Sequence, residues 1–233
     1  MRLVLLDIDG TLLSANGAGR RAICAALREL AGSDRGADTC RFDGKTDPQI
    51  FGEILGAQGR AARDGEIDRL STRYLELLGA ELADPRYPSQ PLPGARELVA
   101  ALAARTDVIV GLLTGNLFEG AQRKLVAAGF HTGDFAVGAY GSDHATREAL
   151  VPIALQRLAI RGIDIARENV AVVGDTPRDI ACARPHGARA VAVATGSYSI
   201  DELRDADIVL ADLSDLAGAM AAILDAPRLM VAS

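Results

Sequence analysis

Two carboxylates, Asp7 and Asp9, stand where the apolar run Leu3-Val4-Leu5-Leu6 gives way to a polar segment containing Gly10 and Thr11. Such a run is expected to form a buried strand. Side chains two apart in an extended chain share a face, so both acids can address one ligand, and Gly10 lets the chain turn sharply behind them. Two adjacent anions call for a cation. A hard divalent ion such as Mg²⁺ takes oxygen ligands and usually keeps waters and substrate phosphate in its shell. Taken alone, the pair is better read as a solvated strand end followed by a turn, but other segments repeat the pattern.

After the apolar run 108–113 come Thr114, Gly115 and Asn116. They offer a hydroxyl and backbone N–H groups just ahead of a helix, an arrangement that suits an anionic oxygen. The competing interpretation is a Thr-Gly turn with Asn116 as helix N-cap. After 170–173 comes Gly174-Asp175-Thr176-Pro177-Arg178-Asp179, two carboxylates four apart around a helix start that Pro177 favours. Asp179 also suits a plain first-turn acid, whereas Asp175 lies on the loop itself. Phosphate beside three carboxylates needs positive charge beyond a metal. Arg147, at the start of a helical pattern, can grip two phosphate oxygens with its guanidinium; the alternative is a solvated arginine.

Short Val/Ile/Leu runs at 3–6, 108–113, 170–173, 191–194 and 208–210 alternate with helical patterns at 95–104, 120–128, 149–158, 178–183 and 213–224. This alternation predicts an α/β fold, a three-layer Rossmann-like core with a parallel sheet between helices. Functional loops in such sheets gather beyond the carboxyl ends of the strands, where Asp7 and Asp175 fall.

The interval 14–92 breaks the alternation with helix-like stretches at 20–30, 47–55 and 67–82 and closes in a Pro-rich connector, 84–94. We therefore expect residues 1–14 and 93–233 to form the catalytic core and 15–92 an inserted α-helical cap domain, able to close over the site and exclude water. The alternative is one larger helical layer without hinge motion. Within the insertion, Phe42-Asp43-Gly44-Lys45-Thr46-Asp47-Pro48 is expected to be a loop leading into a helix, with Asp47 as N-cap and Pro48 at the first helical position. Gly17, Arg20 and Arg21 are further candidates to face a cleft.

Composition narrows the function classes. The 233 residues can bury a substantial core, and 49% hydrophobic with 24% charged residues describes a globular chain rather than a disordered one. A net charge of −6 without a Lys/Arg cluster argues against nucleic acid as partner. No apolar run approaches a membrane span, and the start does not resemble a signal peptide, so no membrane partner and a cytoplasmic location are expected. Cys24, Cys40 and Cys182 are odd in number and lack a Cys-x-x-Cys pair, which suggests reduced thiols, with Cys24 and Cys182 as small buried hydrophobes. His131, His144 and His186 are scattered, which disfavours a transition-metal site.

In this order the four polar segments resemble the haloacid dehalogenase-like superfamily of phosphatases and phosphotransferases, in its branch of phosphoglycolate-phosphatase- and β-phosphoglucomutase-like members. Asp7-Ile8-Asp9-Gly10-Thr11 fits the first motif at every defined position, Leu112-Leu113-Thr114-Gly115-Asn116 the second, and the segment Gly174 to Asp179 the fourth. The third motif is most often Lys; with no Lys between Lys124 and Asp175, Arg147 takes that role, as an Arg does in some members. The resemblance spans essentially the whole chain, because the insertion falls where many members carry a helical cap.

The resemblance implies an Mg²⁺-dependent phosphatase that hydrolyses a small organic phosphomonoester. Asp7 would be the nucleophile that forms an aspartyl-phosphate, and Asp9 the acid and then the base. Mg²⁺ would be held by the Asp7 carboxylate, the Asp9 backbone carbonyl and Asp175, with Asp179 bracing that shell. Thr114, Gly115, Asn116 and Arg147 would hold the phosphate oxygens. Dehalogenases of the family lack the second Asp, and phosphonate hydrolases replace it, so Asp9 points to phosphate esters. Gly44-Lys45-Thr46 resembles substrate-facing cap loops, making Lys45 a candidate substrate contact, against a plain surface loop. The partner expected is a small phosphorylated metabolite, and the protein a monomer or homodimer. Alternatives are a phosphosugar mutase with the same core, or a binding or regulatory protein that has lost turnover.

Overall fold

The computed structural model describes residues 1–225. Its centre is the strand β1 (Arg2–Leu6), which pairs in parallel with β4 (Val108–Thr114) on one side and β6 (Val170–Gly174) on the other. With β5 (Val137–Tyr140), β7 (Arg189–Val193) and β8 (Ile208–Leu210) the sheet runs β5-β4-β1-β6-β7-β8, all parallel. Burial on both faces explains why the strands read as unbroken apolar runs. Val4 and Leu6 point into one apolar cluster, and Leu3 and Leu5 into a second on the opposite face. Helices α4 (Ala95–Ala103), α5 (Phe118–Ala127) and α8 (Leu216–Leu224) contribute to the first cluster; α6 (Leu150–Ile160) and α7 (Pro177–Ala183) cover the second. This is the three-layer α/β architecture expected from the alternation.

The chain order reverses at β1: it passes outward through β4 and β5, then returns to β6 on the other side. Leu6 is level with Leu112 and with Val173, so the segments following β1, β4 and β6 leave the sheet side by side at its carboxyl edge. A crevice forms at such a switch point.

Between β2 (Leu13–Ser14) and β3 (Gln90–Pro91) lie the helices α1 (Ala18–Ala31), α2 (Asp47–Ala57) and α3 (Glu66–Leu82). The two short strands pair antiparallel, and the Leu92 amide donates to the Leu12 carbonyl at 3.0 Å, so the two chain crossings run as one ribbon. Helices α1 and α3 pack through Ala22, Ala26, Leu70, Tyr74 and Leu78, and Phe51 of α2 meets Tyr74 edge-on, ring centres 6.2 Å apart. This apolar interior is continuous with the first core cluster. No helix among the described residues is long and apolar enough to cross a membrane.

Several local expectations are corrected. Strand β5 was invisible to pattern because Gly138 and Ala139 dilute its apolar signal. Strand β7 starts at Arg189 rather than Val191, and α8 at Leu216 rather than Leu213, where Asp215 accepts from the Gly218 amide. Thr46 rather than Asp47 caps α2, accepting from the Gln49 amide at 3.2 Å. Cys24 is half-buried, unlike Cys182, which is fully enclosed and whose thiol burial pushes up to about 12.

Candidate active site

Asp7 is the first residue beyond β1. Its amide donates to the Val173 carbonyl at 2.9 Å, which continues the sheet for one more step and fixes the side chain over the carboxyl edge. Ile8 turns into the core and Asp9 returns to the open side. Gly10 follows with φ of 83°, and a Cβ there would meet an Asp175 oxygen at 2.3 Å, so only glycine lets the turn close over that carboxylate. The Thr11 hydroxyl donates to Asp175 at 3.2 Å.

Three carboxylates, Asp7, Asp175 and Asp179, are buried with oxygen atoms within 4.8 Å of one another. Asp179 sits in the first turn of α7, where the Thr176 amide and hydroxyl donate to it at 3.0 and 2.7 Å. Arg147, in a 3-10 turn ahead of α6, projects between Asp7 and Asp179, with Nη2 at 3.0 and 2.5 Å from them, while its buried Nε has no hydrogen-bond partner among the described residues. One guanidinium thus faces three acids. Burial raises Asp7 to about 6, although Arg147 pulls it down, and burial together with Asp179 and Asp7 drives Asp175 well above the usual carboxylate range. Burial opposes the charge on Arg147, but Asp179 and Asp7 more than offset it and hold the guanidinium charged. The donor set is all oxygen, buried and short of positive charge, which fits a hard divalent cation.

Thr114 ends β4, and its hydroxyl accepts from the Asn116 side-chain amide at 2.8 Å. Asn116 is not the N-cap of α5; that position is Leu117. The same amide of Asn116 donates to Asp9 Oδ2 at 2.7 Å. The uncapped Leu117 amide is instead satisfied by Asp47, whose Oδ2 accepts from it at 2.9 Å while the Asp47 amide donates to the Gly115 carbonyl at 2.8 Å. An acid at the start of α2 therefore caps a core helix and docks the insertion on the Thr114-Gly115-Asn116 loop. Burial lifts its carboxyl to about 6 despite Lys124 and the Leu117 amide.

Lys124 is a site residue that sequence reasoning missed. It lies on α5 with its ammonium 2.6 Å from Asp9 Oδ2 and 2.6 Å from Asn116 Oδ1. Burial works against its charge, but Asp9 and Asp47 raise its pKa above the ordinary value. A signal existed: Lys124 falls in the stripe Leu117, Ala121, Leu125, Ala128, where a lysine interrupts an otherwise buried face.

These groups surround a cavity of about 400 Å³ between the sheet edge and the helical insertion. Asp7, Asp9, Thr114, Gly115, Asn116, Arg147 and Asp175 line it, and Asp179 lies behind Arg147. Gly17 and Arg20 also face it, but the Arg20 guanidinium is engaged by the carbonyls of Ala37 and Cys40. Arg21 turns away to Glu81, at 2.5 Å. Lys45 lines the cavity, with its ammonium paired to Glu53.

A family model described as haloacid dehalogenase-like hydrolase matches residues 1–187. "Probable phosphatase IndB" of Dickeya dadantii is 30% identical over 230 residues, 95% of this chain and 94% of that protein. "Phosphoglycolate phosphatase" of Rhodospirillum rubrum is 28% identical over 198 residues, 84% of this chain and 80% of its own length. Among solved structures, CbbY from Rhodobacter sphaeroides in complex with phosphate superposes with a TM-score of 0.74 at 21% identity, covering 96% of this chain and 99% of that one. A hydrolase from Pseudomonas syringae gives 0.73 at 22% identity, covering 94% and 97%. The family match over most of the chain joins the two acids beyond β1 to the acidic cluster and the cation beside it: the protein belongs to the haloacid dehalogenase-like hydrolases and is a phosphoric monoester hydrolase.

Proposed function

We propose that this enzyme is an Mg²⁺-dependent phosphatase acting on a small organic phosphomonoester in the cytoplasm, through an aspartyl-phosphate on Asp7. The observation that carries the proposal is the separation of the two acids. Asp7 is buried beside Arg147 and grouped with Asp175 and Asp179, whereas Asp9 is held apart by Asn116 and Lys124 in the same cavity. Two carboxylates in such different surroundings suit two roles.

Asp7 attacks phosphorus and the bond to the leaving oxygen breaks, with Asp9 giving that oxygen its proton. Asp9 then takes a proton from the water that attacks the aspartyl-phosphate, and Asp7 is released as a carboxylate. Thr114 and Arg147 bind the non-bridging oxygens, the hydroxyl and the guanidinium both reaching the cavity that Asp7 lines. Asp7, Asp175 and the Asp9 backbone carbonyl would hold Mg²⁺, with Asp179 bracing them through its contacts with Arg147 and Thr176. When bound, the metal supplies the positive charge that lets an anionic nucleophile approach an anionic phosphate.

Residues 15–92 act in this proposal as a cap over a core of 1–14 and 93–233, excluding water and shaping the pocket. A cavity of about 400 Å³ suits a small substrate such as phosphoglycolate or a sugar phosphate, and the phosphoglycolate phosphatase of R. rubrum supports the former class.

The test is phosphate release from a panel of small phosphomonoesters by the wild type and by Asp7→Asn, with Mg²⁺ and with chelator. Turnover that needs both Mg²⁺ and Asp7 is expected. Turnover that survives Asp7→Asn would overturn the assignment of the nucleophile; no release by folded wild type would turn the choice to a mutase or a binding role.

A further inference from the structure

Asp9 is 44% exposed in the cavity, yet one of its oxygens is tightly held. Oδ2 receives both the Lys124 ammonium, at 2.6 Å, and the Asn116 amide, at 2.7 Å, while Oδ1 has no hydrogen-bond partner among the described residues. The two donors are themselves joined, because Lys124 also donates to Asn116 Oδ1, and Asn116 is anchored by Thr114. The lysine has little freedom to leave: its side chain is only 6% exposed, and a Cβ on Gly19 of α1 would stand 3.2 Å from Nζ. Its charge is further fixed by the nearby buried acid Asp47. A buried lysine held this closely has no evident structural task that an apolar side chain in the α5 stripe would not perform better.

We propose that Lys124 is a positioning residue that works through Asp9. By occupying Oδ2, Lys124 and Asn116 leave Oδ1 as the oxygen that carries the proton to and from the reacting groups, and they hold the carboxyl in the orientation that presents it. This rests on the phosphatase reaction proposed above. In the first half-reaction the Asp7 oxygen bonds to phosphorus, the bond from phosphorus to the ester oxygen breaks with its electron pair on that oxygen, and the proton on Asp9 Oδ1 moves to it. In the second, water bonds to phosphorus and returns a proton to Oδ1 as the bond to Asp7 breaks.

The consequence is selective for the leaving group. An alkyl alcohol needs the proton as it departs, whereas 4-nitrophenolate departs without one. The value of kcat/KM covers only the steps through leaving-group departure, and the ratio of two kcat/KM values on one preparation does not depend on the folded fraction. We would measure kcat/KM with Mg²⁺ for 4-nitrophenyl phosphate and for phosphoglycolate, or the best alkyl phosphate of the panel, using wild type, Asp7→Asn, Lys124→Met and Lys124→Gln. The double variant Lys124→Met/Asp47→Asn removes both buried charges together and covers the case in which Lys124→Met folds poorly.

The expected result is a fall of about 100-fold for the alkyl ester, within the range of general acid catalysis, against less than about threefold for the aryl ester. The double variant should show the same selectivity, and Lys124→Gln, which keeps a donor, an intermediate loss. Equal losses on both esters, or none on either, would overturn the role of Lys124 while leaving the phosphatase assignment intact. Wild-type inactivity on both esters, or activity retained by Asp7→Asn, would overturn the assignment and this proposal together.

Discussion

Replacing Gly115 by alanine should separate the helical insertion from the phosphate loop. A Cβ on Gly115 would lie 2.0 Å from the Lys45 carbonyl oxygen, 2.7 Å from its carbon and 3.0 Å from the Thr46 Cα, where ordinary contact begins at 3.4 Å. The obstacle is backbone, with no flexible side-chain end to swing away, so the loop bearing Lys45 and Thr46 must retreat by about 1.4 Å. That movement strains two bonds: Asp47 N–H to the Gly115 carbonyl at 2.8 Å and Leu117 N–H to the Asp47 carboxylate at 2.9 Å. Losing a neutral bond costs about 1 kcal/mol and one to a charged group about 1.5–3 kcal/mol, so the variant should be less stable by roughly 2–4 kcal/mol in urea unfolding. Displacing groups that frame the cavity by about 1 Å should lower kcat/KM on the best phosphomonoester by about 100-fold. The assays are urea unfolding followed by circular dichroism and steady-state phosphate release with Mg²⁺. Unchanged stability together with unchanged kcat/KM would refute the claim that close approach at Gly115 seats the insertion.

Arg147→Met leaves Asp7, Asp175 and Asp179 without their shared guanidinium, and breaking a buried pair in this way costs about 3–5 kcal/mol; a loss below about 1 kcal/mol in urea unfolding would count against the arrangement. Mg²⁺ at 100 times its dissociation constant should stabilise wild type by about 2.7 kcal/mol and raise its Tm, whereas Asp175→Asn should abolish most of that rise; equal shifts in both proteins would remove the acidic cluster as the metal site. Asp47 binds its proton more tightly in the folded protein, at about 6 against 3.8, so its contribution to stability is complete below about pH 3.8 and is lost as pH rises through about 6. Asp47→Asn should therefore gain on wild type across that window, by up to about 3 kcal/mol, minus what the weaker acceptor costs at Leu117. Parallel pH profiles of unfolding free energy for the two proteins would contradict it.

What could be seen in the sequence was governed by range. Asp7, Thr114 and Asp175 each end an apolar strand with a short polar loop, a local pattern, and parallel pairing brings the three loops to one edge. Arg147 was identifiable only by elimination and by family resemblance, because nothing local distinguishes a buried arginine from a solvated one. Lys124 meets Asp9 across 115 positions of chain, and a lysine amid apolar neighbours ordinarily runs its stem along the surface to reach water. The choice between Arg20 and Arg21 depended on helix phase relative to partners not yet placed: Arg20 faces the cavity and Arg21 meets Glu81 of α3. Thr46 took the cap expected of Asp47 because Asp47 is drawn to a longer-range donor, the Leu117 amide.

The ribbon of β2 and β3 makes the three intervening helices an exchangeable part. Leu13 pairs with Pro91 and Ser14 with Gln90, so the covalent connection to the core is two neighbouring chain ends, whatever length of polypeptide joins them. Loop closure grows slowly with length, by about 0.6 kcal/mol for each doubling, and a substitute segment of quite different size is thermodynamically affordable. Such a graft must cover the apolar face of the first core cluster, which the native helices continue, and it has a polar obligation at its inner face as well. It must bring an acceptor for the Leu117 amide, because the native one is Asp47, and a transplant without it would leave the first turn of α5, and with it the helix that carries Lys124, open at its amino end.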